Sequence, residues 1–383
     1  MQGSCIAIAL ILALISCKQE EALKFFQVGE VSFDVGYLSN HRYIGLIDDV
    51  SESLEYVYFG EPVTFKCIKF FDLAGEFKFE VSLRNAIDSI GKIGHLQVIS
   101  PDSILVFGQY NNKILAINRK GEVWFAIDLN QNILPYHGHQ FTYSTTYSGS
   151  CFFRDTLYLT PEYMAQSPGA ITPGPNEYFK AALDQPYFLR INKFLDKTQS
   201  NYSFGLNSFY RQFMNDSMAM GELRRYCVLD ENVAVFSIYS DTLYLFNSSS
   251  LQCIQKIHVV SSNTKIGVNP VQLYGDVDYA EYQSKIARFG GYISKVIYDS
   301  EYHFFVISIA WENKEKIPKG RMYSFCIYTK DGERLGEIAL NKDDYDSGIV
   351  YYFKGLYYIK TASNDKEGRD KTKLLFHVFK LST

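Results

Sequence analysis

Three short groups of residues have types and spacing that could do chemistry. His137 and His139 stand one residue apart in "YHGHQF". On a strand, alternate residues face one side, so the pair could offer two imidazoles to a metal ion. A metal centre needs a third ligand and none is adjacent, so no metal site is expected, and Gly138 reads as part of a turn. In "GELRRYC", Glu222 is followed by Arg224 and Arg225. A guanidinium at a cavity mouth grips a carboxylate or phosphate through two parallel hydrogen bonds; such a pair also clamps neighbouring sheets through salt bridges. In "YGDVDY", Asp276 and Asp278 lack the spaced run of oxygen ligands that a calcium loop requires, and read instead as caps of the helix that follows. No nucleophile elbow, phosphate loop, H-E-x-x-H or dinucleotide fingerprint occurs. No cofactor is expected, and any catalytic carboxylate pair would have to be assembled from distant segments.

A fourth group marks the chain itself for processing. No residue from Met1 to Ser16 is charged, and the dense apolar part is only Ile6 to Ile15. A membrane-spanning helix needs about 20 apolar residues, whereas a secretory core needs roughly 7–15. Leu14-Ile15-Ser16-Cys17 has the form of a lipobox, in which the cysteine is acylated through sulfur and becomes the first residue of the mature chain. Two departures are the lack of Lys or Arg before the apolar run and the bulk of Ile15. This reading divides the chain into a lipoprotein signal peptide (1–16), a tether (17–22) and a folded domain (23–383), with the membrane as a partner through Cys17.

The elements that must position these groups are strands. The chain holds 30 Tyr and 29 Phe, 16% aromatics, a composition that favours β structure. The net charge of −4 comes from interspersed acids and bases, without the basic stripe of a nucleic-acid binder. Leaving out Cys5 and Cys17, five cysteines remain, at 67, 151, 227, 253 and 326. They are odd in number, form no CxxC and mostly sit in apolar runs, so they read as buried free thiols.

A repeat organises the domain. "FFDLAGEFKFEVSL" (70–83), "AINRKGEVWFAIDL" (116–129) and "CIYTKDGERLGEIAL" (326–340) each place Gly before Glu and, eight positions on, Leu. Each is a hairpin whose Gly supplies a positive φ. Weaker copies lie at 245–259 and 189–204, and a further strand pair precedes each hairpin. Four strands per repeated unit is the form of a β-propeller blade. The fold class expected is all-β: a six-bladed β-propeller, with seven blades the alternative. Blades fall near 40–83, 94–129, 142–204, 218–259 and 290–340. The last unit, 348–382, has only three strands, and the N-terminal segment 23–37 is expected to complete it and close the ring. Phe25, Phe26 and Phe33 are its expected buried contacts.

Two insertions break the rhythm. Residues 161–187 carry five of the ten prolines, and 260–291 contain Tyr279, Tyr282, Ile286 and Phe289 at helical spacing. Long loops in a compact domain are often functional.

The lipobox, the acidic Glu20-Glu21 and hairpins such as Asn118–Glu122 and Thr329–Glu333 together resemble the six-bladed propeller lipoproteins of Bacteroidetes, including a family known only as a domain of unknown function. The resemblance covers nearly the whole mature chain and carries over no catalytic residues. It implies an outer-membrane, surface-exposed location, a periplasm-facing one being the alternative. Asp-Ser/Thr-apolar triplets at 88–90, 102–104, 155–157, 216–218 and 241–243 resemble an O-glycosylation sequon of that group, although Asp and Ser also form turns. The expected role is non-enzymatic binding of a carbohydrate, peptide or protein. A hydrolase or lyase of the central channel and a scaffold subunit are the alternatives. The expected site is the face carrying both insertions and the 131–141 loop, with Tyr163, Tyr178, Tyr274 and Tyr279 as flat contacts and Arg224 and His139 as polar ones.

Overall fold

The computed structural model describes residues 23–36, 43–49, 53–61, 66–109, 111–132, 141–144, 150–153, 155–163, 188–196, 201–205, 224–229, 232–237, 240–266, 291–312, 321–340, 344–362 and 372–382. Their strands form six antiparallel sheets. Blade I holds β2 (Tyr43–Asp49), β3 (Leu54–Glu61), β4 (Cys67–Phe71) and β5 (Phe77–Ser82). Blade II holds β6 (Ile93–Ser100), β7 (Ser103–Gly108), β8 (Lys113–Ile117) and β9 (Val123–Asp128). Blade III holds β10 (Phe141–Ser144), β11 (Ser150–Phe153), β12 (Thr156–Tyr163), β13 (Phe188–Asn192) and β14 (Asn201–Gly205). Blade IV holds β15 (Arg224–Leu229), β16 (Asn232–Ser237), β17 (Thr242–Asn247) and β18 (Cys253–His258). Blade V holds β19 (Tyr292–Asp299), β20 (Phe304–Glu312), β21 (Arg321–Thr329) and β22 (Arg334–Leu340). Blade VI holds β23 (Tyr345–Phe353), β24 (Leu356–Thr361) and β25 (Lys373–Leu381), completed by β1 (Phe25–Asp34).

The first strand of each blade is innermost. Contacts run β2 to β6, β6 to β11, β11 to β15, β15 to β19, β19 to β23 and β23 back to β2. That closed circuit is a six-bladed propeller; the seven-bladed alternative is excluded. In blade III, β11 and β10 pair successively with the two halves of β12 and make one interrupted inner strand.

The repeated glycines have two physical reasons. Gly75, Gly121 and Gly332 have φ of 92°, 77° and 86°. In each turn the Gly amide donates to the carbonyl three positions back, that of Asp72, Asn118 or Thr329. The side-chain oxygen of that residue accepts the amide of Glu76, Glu122 or Glu333. The ladder shifts register beside each turn, as a glycine bulge does. A Cβ on Gly75 would also overlap the Ser32 carbonyl on β1, and one on Gly121 the Ser82 carbonyl on β5. Ser32 therefore stands to blade I as Ser82 stands to blade II, which places β1 in the role of an outermost strand.

Ring closure is by β1 on β25, from Phe25 opposite Leu381 to Asp34 opposite Lys373. Phe33 is 1% exposed and packs against Phe59, Phe71 and Phe376. Phe25 meets Phe325, Tyr357 and Phe379. The expectation for Phe26 is corrected: it is 54% exposed, because with Val28 it lies on the solvent side of β1. The core sits between neighbouring blades, as in the aliphatic packing of Ile68 and Val81 on Leu96 and Leu115. Polar clamps reinforce it. Asp299, 0% exposed, accepts the hydroxyls of Tyr352 (2.7 Å) and Tyr357 (2.5 Å) from the next blade. Arg119 of blade II reaches Asp49 of blade I at 3.6 Å and lies over the Phe79 ring. A helix not expected from sequence, α1 (Arg84–Ile90), links blades I and II. The expected short helix of 278–289 lies outside the described residues. Cys67 and Cys326 are buried free thiols as expected, and Cys253 is half-buried.

Candidate functional site

Strand alternation sorts the connections between two ends of the ring. First-to-second and third-to-fourth strand turns share one end, the turn end; second-to-third and blade-to-blade connections share the other, the loop end. At the turn end the longest connection spans only 193–200. At the loop end the long connections span 164–187, 206–223 and 259–291. All three belong to the arc of blades III, IV and V.

Two of the expected site residues fall on strands. Tyr163 ends β12, opposite Phe141, and Arg224 begins β15, opposite Ser237. Both positions lie at the loop end, in neighbouring blades. His139, Tyr178, Tyr274, Tyr279 and Cys17 lie outside the described residues, as do His137, Glu222, Asp276 and Asp278.

The inner strands add residues that sequence reasoning passed over. Counting pairs from the first turn of each blade, the fifth pair is Gly45–Tyr58 in blade I, His95–Phe107 in II, Ser144–Thr160 in III, Arg225–Phe236 in IV and Lys295–Ser308 in V. Four inner strands break register at about this height. Gly94 bulges before His95 and Ser294 before Lys295; residues 145–149 and 346–349 lie between paired neighbours in blades III and VI. Bulges release backbone polar groups from the ladder and re-aim side chains. Gly45 lacks a Cβ because the Tyr58 ring lies across it.

Among the described side chains, charge is unevenly placed along the inner strands. Lys295 donates to the Val350 carbonyl of the next inner strand and lies 5.1 Å from the Tyr351 ring centre. Burial pushes His95 from 6.5 down to about 4, so it is neutral near pH 7, and its ring stands 5.4 Å from that of Phe107. Burial pushes the Tyr58 hydroxyl up to about 12. Asp48, Asp49 and Asp299 lie instead near the turn end: Asp48 pairs with Lys354, Asp49 with Arg119, and Asp299 with its tyrosines.

At the outer wall, Glu337 of β22 pins the start of the longest connection. It accepts Ser261 Oγ (2.7 Å), Asn263 Nδ2 (2.8 Å), Ser324 Oγ (2.6 Å) and the Ser262 amide (2.5 Å), and pairs with Arg334 at 3.0 Å. Burial acts to raise its pKa, but the hydrogen bonds from Ser324, Ser262, Ser261 and Asn263 outweigh burial and hold it at about 2. Among the described residues no group of three metal-capable side chains occurs.

These features define a six-bladed β-propeller with one elaborated end. A member of the DUF4221 family from Bacteroides vulgatus has a similar structure, with TM-score 0.71, 13% identity, and coverage of 95% of this chain and 100% of that one. A protein described as exported, from Bacteroides fragilis, is similar with TM-score 0.51 and 12% identity over 95% of this chain and 97% of that one. At these identities the likeness is one of fold. No family model and no curated protein matches the sequence.

Proposed function

We propose that this chain is a lipid-anchored envelope protein whose propeller binds a carbohydrate, peptide or protein partner at the loop end. The observation that carries the reading is the contrast between the ends. The loop end carries connections as long as 259–291, whereas the longest at the turn end is 193–200. Short equivalent turns offer six similar surfaces. Long, dissimilar connections rich in Tyr and Pro provide the asymmetric contacts that specificity requires. Anchoring is supported by the Leu14–Cys17 motif, and exposure on the cell surface by Glu20-Glu21 after it. Cys17→Ala should abolish fatty-acid labelling and release the protein from membranes; an unlabelled, soluble wild type would sink the anchoring half. For binding, wild type and a Tyr163→Ala/Tyr274→Ala variant are compared on arrays of glycans and peptides. Loss of signal with unaltered melting supports the loop end, and an unchanged profile counts against it.

A further inference from the structure

We propose that the turn end of the propeller rests on the lipid bilayer that holds the anchor, through a collar of exposed apolar side chains, so that the loop end faces away from the membrane. The first observation is where the chain leaves the ring. β1 begins at Phe25, opposite Leu381, where β25 finishes at the turn end. The chain is held one residue further out: the Lys24 amide donates to Ser382 Oγ at 3.1 Å, and the Ser382 amide donates to the Lys24 carbonyl at 2.9 Å. Leu23 packs in the cluster between blades V and VI. The steps from Cys17 to Leu23 cannot span more than about 22 Å. A lipid on Cys17 therefore keeps the membrane close to the turn end.

The second observation is what stands there. Phe77, Val123 and Ile254 are the first or second residues of the outer strands of blades I, II and IV, and Phe26 is the second residue of β1. Trp124 follows Val123, and Leu54 opens β3 just after the first turn of blade I. All six are exposed, Phe26, Phe77 and Ile254 by more than half. Single exposed apolar residues are ordinary; six from four blades at one end of one ring mark a contact surface. Trp124 joins a flat apolar ring to an indole N–H, a combination that favours the headgroup region. Charges at this end pair with one another: Lys78 with Asp72 and Glu76, Lys354 with Asp48 and Glu55, Arg119 with Asp49 and Asp102. With these cations held by acids, the attraction is apolar and needs no anionic lipid. The inference deepens the proposed function, and it rests on the anchor at Cys17 for the nearness of the bilayer.

The chain has two tryptophans, Trp124 at the turn end and Trp311 near the loop end of β20, so its own fluorescence reads which end meets lipid. The protein as isolated is combined with phosphatidylcholine vesicles whose acyl chains carry bromine, which quenches tryptophan only near contact. Wild-type emission should fall by about a third or more relative to unbrominated vesicles, and the fall should vanish in Trp124→Phe. It should persist from about 0.05 M to about 0.5 M salt. Phe26→Ser/Phe77→Ser should lose at least half of the quenching while melting as wild type does and staying with the vesicles through Cys17. If that variant does not fold, Phe26→Ser/Ile254→Ser takes its place. Absence of quenching, quenching retained in Trp124→Phe, quenching abolished by salt, or quenching unaltered in a folded collar variant overturns the proposal. A dimer broken by the collar substitutions, with Trp124 unquenched, would assign the collar to a second copy of the chain and overturn it too. The anchoring reading fails separately, by absence of fatty-acid label on the wild type. Vesicles in excess then decide, since the collar alone should still quench Trp124, and an unquenched Trp124 overturns the proposal.

Discussion

At the scale of the residue, the turn glycines show how one position answers two demands. A left-handed φ costs an ordinary residue roughly 1–2 kcal/mol, and proximity to a neighbouring blade adds to it. Blade IV has Leu251 at the matching turn with φ of 55°, so the conformation alone is tolerated. What differs is the neighbour. Gly121 faces the Ser82 carbonyl, which is backbone and cannot yield, whereas Gly332 faces the side chains of Gln255 and Ile257. Gly121→Ala should therefore cost about 2–3 kcal/mol and Gly332→Ala nearer about 1 kcal/mol. Urea melts of the two variants compare them directly. Equal losses would mean that φ, and not the contact, dictates glycine.

At the scale of the element, β1 is the strand whose removal leaves a blade open. Its stabilisation comes from one face only. Val31, Phe33 and Val35 are buried, and Phe26 and Val28 are exposed. Phe33→Ala removes a fully buried ring from a cluster of three others and should cost about 3–5 kcal/mol. Phe26→Ser should stay within about 0.5 kcal/mol. Deletion of residues 24–34 bares β25 and wets the apolar side of blade VI, a loss comparable with the roughly 5–15 kcal/mol that stabilises a whole domain. It should leave an aggregating chain with no cooperative transition. A deletion protein that melts like wild type would show that the ring does not depend on this closure.

At the scale of the whole molecule, acid should loosen the ring in two stages. The folded pKa of His95 lies near 4, below its ordinary 6.5. The unfolded chain therefore takes up a proton first, and stability present above pH 6.5 is lost as pH falls from there toward 4. Glu337 is held near 2 against an ordinary 4.5, so its contribution is present above 4.5 and is lost as pH falls toward 2. Melting temperature against pH should show the first decline in wild type and a flatter curve between 6.5 and 4 in His95→Gln. Glu337→Gln should flatten the lower stage and loosen protease protection near 259–266. An identical slope in His95→Gln would show that another group governs the first stage.

The local, repeating part of this protein was written in the order of its residues. Hairpins announce themselves over short stretches, because alternation, a polar turn and a glycine act at close range along the chain. Counting three strands in the last unit and one spare at the start was enough to foresee the pairing of β1 with β25. The loop end was foreseeable from insertion lengths, and strand alternation put the Tyr163 and Arg224 positions there. Other features depended on assembly. The exposure of Phe26 follows from which face of β1 meets blade I. The short helix α1 forms in a connector whose sequence, "RNAIDSI", carries no strong cap, and its burial of Ala86 and Ile90 helps hold it in place. The shared height of His95, Arg225 and Lys295 could not be read from spacing, since the three lie in separate blades, II, IV and V, with many strands between them in the chain. Bulges at Gly94 and Ser294 set the register of their strands, and only ring closure turns equal pair numbers into one level of a common channel.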